Sequence, residues 1–158
     1  MTERSGEEGA LRAVQTLSLD HDVLRHGPVR SLAEAATARG VAPADVVKTI
    51  VVRRGEGDYV FVLVPGDRTI AWPKLRRLLG VQRLSMPDAA TAYEVTGYER
   101  GTITPFGAST AWPVIADERL LGRRVTLGAG AHGVAVAVDG DAAVAALHAQ
   151  VADVTDPE

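Results

Sequence analysis

The segment Val46–Arg53 constrains the fold most, because it has the pattern of a strand that is apolar on both faces. Side chains alternate between the two faces of a strand, so three aliphatic residues share one face with Lys48 and two valines share the other with Thr49. Such a strand must be covered by other elements on both sides. The turn at residues 55–58 and the apolar run Tyr59–Val64 predict that it pairs with a second strand in a hairpin.

Helix signals separate the apolar strands along the rest of the chain. Ser31 and Glu34 form a capping box, and the helix that they open is predicted to stop at Gly40. Helices are also predicted over residues 9–17, 73–79, 87–95 and 141–151, and short strands over residues 22–24, 81–84, 112–116, 123–127 and 134–138. Because paired strands alternate with helices, the predicted fold is α/β, with a mixed, curved, barrel-like β-sheet and surrounding helices.

The chain has the size of one domain. Its 158 residues suffice for a single hydrophobic core, and no long linker or internal repeat divides them. We predict a disordered leader at residues 1–8, one domain at residues 9–153 and an acidic tail at residues 154–158. The polar, acidic N-terminus is unlike a signal peptide, and no apolar run approaches the roughly 20 residues that a membrane span needs. The expected location is therefore the cytoplasm.

Composition narrows the chemistry. The absence of cysteine excludes disulfides, thiolate metal ligands and a cysteine nucleophile. A net charge of −3 argues against a protein that coats nucleic acid through bulk electrostatics, although a local basic patch could still contact one end of an RNA. Such a patch could include Arg76, Arg77, Arg83, Arg123 and Arg124, for which solvated surface is the simpler interpretation.

Lys48 is one of only two lysines among 17 basic residues, and it lies in the middle of an apolar strand. An ammonium group is costly there unless it is paired or faces a polar cavity. Two interpretations remain open at this point. Lys48 is either a pocket lysine or a residue whose aliphatic stem carries the charge out to solvent.

Two glycine-rich segments are candidate ligand-binding loops. Residues 96–107 contain three glycines and a proline, and glycine lets the backbone approach a ligand closely, although a purely structural turn would have the same composition. Residues 128–133 match the spacing of a dinucleotide fingerprint, which requires a strand before it and a helix after it. Strands are predicted on both sides, so that interpretation is rejected, and a tight turn or a backbone nest facing a ligand remains.

Other kinds of site are not predicted. The four histidines do not occur at the spacing of metal ligands, and we predict no metal and no cofactor. There is no Gly-x-Ser-x-Gly nucleophile elbow and no Walker phosphate loop. Asp117 is interpreted as the start of the Asp117–Leu121 turn rather than as a residue that orients another group.

Five segments, taken in order and spacing, resemble the YbaK/ProX aminoacyl-tRNA editing domains. The resemblance covers about residues 20–150, and His26-Gly27-Pro28 also fits it. The five segments are Val46–Val52 with Lys48, the Thr96-Gly97-Tyr98 step, the Gly101–Gly107 loop, Pro113–Asp117 and the Gly128–Gly133 turn.

The resemblance implies a YbaK/ProX-type fold and a trans-acting aminoacyl-tRNA deacylase. Such an enzyme hydrolyses the ester of a mischarged tRNA, here tRNA for proline carrying cysteine or another small amino acid. By resemblance, Lys48 holds the charged 3′ end or polarises the ester, and the backbone of Gly101 positions the attacking water. The other residues implied to contact the substrate are His26, Thr49, Ile103, Thr104, Pro105, Phe106, Gly128, Gly130 and Gly133.

The implied partners are the acceptor end of an aminoacyl-tRNA and an aminoacyl-tRNA synthetase, with no membrane and no DNA. Two other functions stay open. One is a non-catalytic module of the same fold that recognises an aminoacyl-RNA end or a synthetase, and the other is a hydrolase of some other small ester or amide.

The resemblance leaves the choice of amino acid open. Thr104 stands where many relatives carry serine, a change that keeps the hydroxyl group. The His-Pro and Asn motif of the alanyl-specific editors is absent. Cysteinyl-editing members tend to have a serine at the start of the glycine turn and an acidic residue shortly after it, where this chain has Gly128 and Ala135.

Overall fold

The computed structural model describes residues 3–158, and in it helices and strands mix as an α/β fold. The helices are α1 (Glu3–Thr16), α2 (Leu32–Arg39), α3 (Trp72–Leu79), α4 (Ala89–Thr96) and α5 (Gly140–Ala146). The strands are β1 (His21–Arg25), β2 (Val47–Gly55), β3 (Asp58–Pro65), β4 (Arg68–Ile70), β5 (Val114–Asp117), β6 (Arg124–Gly128), β7 (Val134–Asp139), β8 (Gln150–Ala152) and β9 (Thr155–Pro157). No helix among these residues is long and apolar enough to cross a membrane.

The strands are distributed over three sheets. The predicted hairpin β2–β3 is confirmed as an antiparallel pair, and β3, β5 and β8 continue it as parallel strands to form a mixed sheet in the order β2-β3-β5-β8. An antiparallel sheet has the order β1-β7-β6, and β4 pairs with β9. The mixed α/β class is confirmed. The predicted barrel-like curl is not confirmed, because the strands form three separate sheets.

The hairpin is buried on both faces, as its sequence pattern predicts. One face packs Val51 and Phe61 into a core cluster with Val136 of the antiparallel sheet. The other face packs Val62 into a second cluster with Leu75 of α3. At roughly 25 cal/mol per Å² of apolar surface, these two layers contribute most of the favourable free energy of folding.

The capping box of α2 is confirmed. The Ser31 hydroxyl accepts a hydrogen bond from the Glu34 N–H at 3.1 Å, and Glu34 accepts one from the Arg30 N–H at 3.4 Å. Gly40 ends the helix with φ 71°, a left-handed conformation that glycine adopts without steric cost. Its N–H donates to the carbonyl groups of the last turn.

Within the described residues, the structure differs from the sequence prediction at both termini. Instead of a disordered leader, residues 3–8 form the first part of α1, in which Ala10 and Val14 are fully buried; Met1 and Thr2 lie outside the described residues. Instead of an acidic tail, residues 154–158 contain β9, and Val154 and Thr155 are fully buried. Polar composition predicts solvent for both segments, but each is ordered by contacts with residues that are distant in sequence.

Two internal elements also differ from the prediction. Residues 81–84 form no strand, and an isolated bridge joins the neighbouring Ser85 to Arg53 at the end of β2. The helix predicted over residues 141–151 ends at Ala146, and β8 follows it in parallel pairing with β5. His148 adopts φ 51° between them, a turn that breaks the helix although alanine-rich sequence favours its continuation.

Candidate active site

The main cavity lies along the open edge of β2. This strand is the edge of the mixed sheet, and its outer side has partners only near its two ends, where bridges join Val46 to Thr126 and Arg53 to Ser85 among the described residues. Between these bridges the outer edge faces a cavity of about 520 Å³. The backbone N–H and C=O groups of successive residues point to opposite edges of a strand. Because the backbone of Arg53 pairs with Ser85 on the outer edge, the backbone groups of Thr49, four residues earlier, point to the same edge and toward the cavity.

Three segments that are distant in sequence meet in this cavity. β2 contributes Lys48 and Thr49, the glycine loop contributes Gly101 and Ile103, and the end of β6 contributes Gly128. The structure therefore brings together five of the residues that the resemblance implies. The remaining wall is formed by residues 86–89, Ala92, Arg100, Arg39 and the aliphatic residues Val46, Val47, Ile50 and Val51.

The Lys48 ammonium is held by a backbone carbonyl. Lys48 is half-buried, and its Nζ donates to the carbonyl oxygen of Arg68 in β4. Lys48 has no ion pair with a carboxylate among residues 5–158. An ammonium has three donors, so two N–H groups remain for a ligand. The sequence left two interpretations open, and the structure places Lys48 on the wall of the cavity, which favours the pocket lysine.

The glycine loop is braced from within. Gly101 has φ 88°, and a Cβ at this position would lie 3.1 Å from Cε1 of His132. The Tyr98 hydroxyl donates to the carbonyl of Phe106 at 2.5 Å, and burial raises the pKa of this phenol to about 12, so it stays a donor at neutral pH. The loop therefore holds its exposed glycine in a conformation that a side chain would strain.

Four of the residues implied to contact the substrate lie elsewhere. Thr104, Pro105 and Phe106 are buried in the interior and line neither the main cavity nor the second cavity that adjoins it. Gly130 packs against α1, where a Cβ would lie 2.4 Å from the carbonyl oxygen of Gly6. These residues support the loops from behind, and the surface toward the cavity is formed by their neighbours.

A second cavity of about 410 Å³ adjoins the first and accounts for the other two predicted residues, His26 and Gly133. The His26 N–H donates to the Gly133 carbonyl at 2.9 Å, which ties the segment after β1 to the glycine turn. The two cavities share Arg39, Gly101 and Gly128 on their walls. The two cavities are therefore direct neighbours.

Sequence reasoning missed Arg39 and the wall formed by residues 86–89. Arg39 is the last residue of α2. Basic side chains are common at this end of a helix because they interact favourably with the helix dipole, so the sequence does not mark Arg39 as a ligand-binding residue. Asp88 caps α4, its carboxylate accepting from the Thr91 N–H at 2.8 Å. The Asp-x-x-Thr cap could have been found in the sequence, but its position beside β2 could not.

Comparison with known proteins identifies the family. The model of the aminoacyl-tRNA editing domain matches residues 26–145, which is most of the chain and includes every segment of the site. The chain belongs to the aminoacyl-tRNA editing domain family. The YbaK/ProX resemblance of its loops is thereby confirmed.

Relatives of this editing domain occur within much longer proteins. It is 27% identical over 114 residues to a proline–tRNA ligase of Bacillus licheniformis, covering 72% of this chain and 18% of the ligase. It is 35% identical over 105 residues to a proline–tRNA ligase of Heliobacterium modesticaldum, covering 66% of this chain and 18% of the ligase. The chain spans less than a fifth of the length of these relatives.

A solved structure of similar size has the same fold. A crystal structure of a protein proposed to be a trans-editing enzyme for prolyl tRNA synthetase superposes with a TM-score of 0.86 and 28% sequence identity. The match covers 96% of this chain and 97% of that one. The editing fold therefore extends over almost the whole of both chains.

Proposed function

We propose that this protein is a trans-acting deacylase that hydrolyses the ester of a mischarged tRNA. Its substrate would be tRNA for proline carrying cysteine or another small amino acid. The observation that carries the proposal is the meeting of Lys48, Gly101 and Gly128 in one cavity of an editing-domain fold. Because aminoacyl-tRNA is used in translation, we place the protein in the cytoplasm.

The chemistry needed is modest, because an aminoacyl ester is already activated. Water adds to the ester carbonyl, and the ribose oxygen leaves with a proton. The free N–H donors of Lys48 would stabilise negative charge on the ester oxygen, and the backbone around Gly101 would position the water. The acidic residue on the first wall is Asp88, whose carboxylate caps α4, so the neighbouring ribose hydroxyl is the better candidate for moving the proton.

The shape of the first cavity supports a small, uncharged aminoacyl group. Much of its wall is aliphatic and includes Ile50 and Val51 from β2, Met86, Pro87 and Ala89 at the start of α4. A volume of about 520 Å³ is within the usual range of small-molecule sites. It would hold the aminoacyl group rather than a stretch of RNA.

A groove rich in arginine lies next to the first cavity, beside the end of β2. Arg53, Arg76 and Arg83 line this groove, together with Arg54, which pairs with Asp58 at 3.0 Å. Both β2 and residues 82–89 run from the groove into the cavity wall. We propose that RNA phosphates lie along this groove, which we call the arginine groove.

The test is a panel of tRNAs for proline charged with proline, cysteine, alanine or serine and incubated with the protein. We expect release of a small non-cognate amino acid at least about tenfold faster than release of proline. Addition of a prolyl-tRNA synthetase shows whether that partner changes the rate. A release rate equal to that of buffer for every charged tRNA would contradict the deacylase.

The second candidate is a binding module of the same fold, and the engagement of the Lys48 ammonium with the Arg68 carbonyl favours it. Binding without turnover in the same panel would support this function. Saturable binding of an uncleaved charged tRNA, measured beside its release rate, separates the two candidates.

A further inference from the structure

Arg39 lies at the junction of the two cavities and has no acidic partner within residues 5–158. It is one of three residues shared by both walls, and its Nη1 donates to the hydroxyl of Thr126 at 3.0 Å. Its Nε is buried and has no hydrogen-bond partner among the described residues. Several other arginines do pair with carboxylates; Arg123, for example, lies 3.3 Å from Asp45.

Three buried side-chain atoms without partners lie at this one place. Within residues 5–158 they are Nε of Arg39, Oγ1 of Thr49 and Nε2 of His26. Thr49 lines the first cavity, His26 lines the second, and Arg39 lines both. Because buried polar groups nearly always have a partner, their concentration here indicates a polar ligand that spans the junction.

The charge at the junction selects an anion. The charged side chains on the two walls are Arg39, Lys48, Arg100 and one carboxylate, Asp88, which is occupied as a helix cap. Burial lowers the pKa of the Arg39 guanidinium, the direction expected for a cation that has lost water without gaining a counter-ion. A planar guanidinium with N–H groups to spare suits the oxygens of a phosphate group.

We propose that Arg39 binds the phosphodiester on the 5′ side of the terminal nucleotide of the RNA. This inference rests on the proposed deacylase function, because an ester held between Lys48 and Gly101 places that phosphodiester one nucleoside away. Arg39 lines both cavities together with Gly101, so it lies beside the position proposed for the ester. The nucleoside would lie in the second cavity beside His26, and the aminoacyl group would lie in the first.

The test compares two small esters of the same amino acid. One is 3′-O-alanyl adenosine, and the other is the same ester on adenosine 5′-methylphosphate, which carries the single negative charge of a phosphodiester. We expect the wild-type protein to hydrolyse the phosphorylated ester with a kcat/KM about 10- to 100-fold higher, the range of a charge-assisted hydrogen bond. Arg39→Gln should abolish this preference, so that the variant hydrolyses the two esters with equal kcat/KM.

Two variants serve as controls. Arg77→Gln removes a guanidinium from the last turn of α3, outside both cavities, and should keep the full preference. Arg39→Lys keeps the charge without the planar fork and should keep a small part of the preference. If the melting curve shows that Arg39→Gln does not fold, Arg39→Lys tests the phosphate site in its place.

Several results would overturn the proposal. Equal wild-type rates on the two esters would do so, as would an equal loss on both esters in Arg39→Gln. A carboxylate is the competing anion, so aspartyl and asparaginyl adenosine are compared as well, and a loss in Arg39→Gln confined to the aspartyl ester would contradict a phosphate site. If the wild type cleaves no ester, the deacylase function fails, and calorimetric binding of adenosine 5′-methylphosphate to the wild type and Arg39→Gln decides the site separately.

Discussion

Lys48 connects the cavity to a part of the chain that is far from it in sequence. Its ammonium donates to the carbonyl of Arg68, and the Arg68 guanidinium donates to Thr155 through Nε and Nη2, at 2.7 Å to the hydroxyl and 3.1 Å to the carbonyl. The position of the ammonium is therefore set by β4 and β9 as well as by β2. A side chain held at its charged end loses little further freedom when it meets a ligand.

We predict that Lys48→Ala removes most of the deacylation. Loss of one preorganised charge beside a developing oxyanion typically costs about 100- to 1,000-fold in rate. Lys48→Arg should fail as well, because a planar fork does not replace a compact ammonium donating to one carbonyl. Single-turnover release from mischarged tRNA measures the effect, with melting curves to verify the fold. Turnover near the wild-type rate in Lys48→Ala would disprove the assignment.

We predict that Gly101→Ala lowers the chemical step by about 100-fold, the cost of a misplacement of about 1 Å. The added Cβ is strained at φ 88° and would lie 3.1 Å from the His132 ring. Gly80→Ala is the matched control, since Gly80 has φ 68° and open space around it, outside the site. Both variants should lose similar stability, and only Gly101→Ala should lose activity.

Thr104 separates backbone from side-chain chemistry in the same loop. Its hydroxyl is buried and accepts a long hydrogen bond from the Phe106 N–H at 3.4 Å. Thr104→Ala should therefore cost about 1 kcal/mol of stability and much less activity than Gly101→Ala. An active Gly101→Ala beside an inactive Thr104→Ala would mean that a side chain performs the chemistry.

At the scale of elements, the C-terminal strand supports both the core and the site. β9 pairs with β4, and Thr155 Oγ1 accepts from Arg68 and donates to Oδ2 of the fully buried Asp117 at 2.8 Å. Asp117 also accepts from the Val154 N–H at 3.2 Å and caps the turn after β5. The interpretation of Asp117 as the start of a turn is confirmed, and its second role is to anchor the chain end.

We predict that Thr155→Val lowers the free energy of unfolding by about 1–3 kcal/mol, because it leaves a buried carboxylate and a guanidinium each short of a hydrogen bond. The shape of the side chain is retained, so packing changes little. Thr69→Val is the control, since Thr69 lies in β4 but is exposed. Urea unfolding measures both variants, and equal midpoints would show that the Asp117 contact contributes nothing.

At the scale of the whole molecule, a net charge of −3 coexists with a localised arginine groove. Arg53, Arg76 and Arg83 have no ion pair among the described residues, whereas Arg124 pairs with Asp22 and Arg123 with Asp45. The five-arginine patch considered from the sequence is thus divided. Arg76 and Arg83 line the groove, and Arg77 lies beside Lys74 in a different depression. Arg123 and Arg124 are the members that pair with carboxylates.

We predict that RNA binding depends only shallowly on salt. With three to five phosphates neutralised, the slope of log affinity against log salt concentration should be about −2 to −4. Replacing Arg53, Arg76 and Arg83 by glutamine should make the slope shallower by about 2, whereas Arg123→Gln should leave it unchanged. A slope near −10 in the wild type would contradict contact confined to the acceptor end.

Local features were predictable because the interactions that form them span only a few residues. The two-sided pattern of β2, the Ser31–Glu34 cap and the helix end at Gly40 are all of this kind, and the structure has each of them. The placement of Lys48 within a buried strand and the glycine density of residues 96–107 also directed attention to residues that line the first cavity. The family resemblance added the order of these segments.

The sequence by itself thus determined the mixed α/β class, the hairpin and the segments that form the site. Only the tertiary structure decided that α1 and β9 are ordered, that Arg39 joins two cavities and that Phe106 lies behind the loop. The physical reason is that these features depend on contacts between distant segments, such as the approach of α1 to the glycine turn, where a Cβ at Gly6 would lie 2.3 Å from the Gly130 carbonyl oxygen. Composition and periodicity describe one segment at a time and carry no such distances.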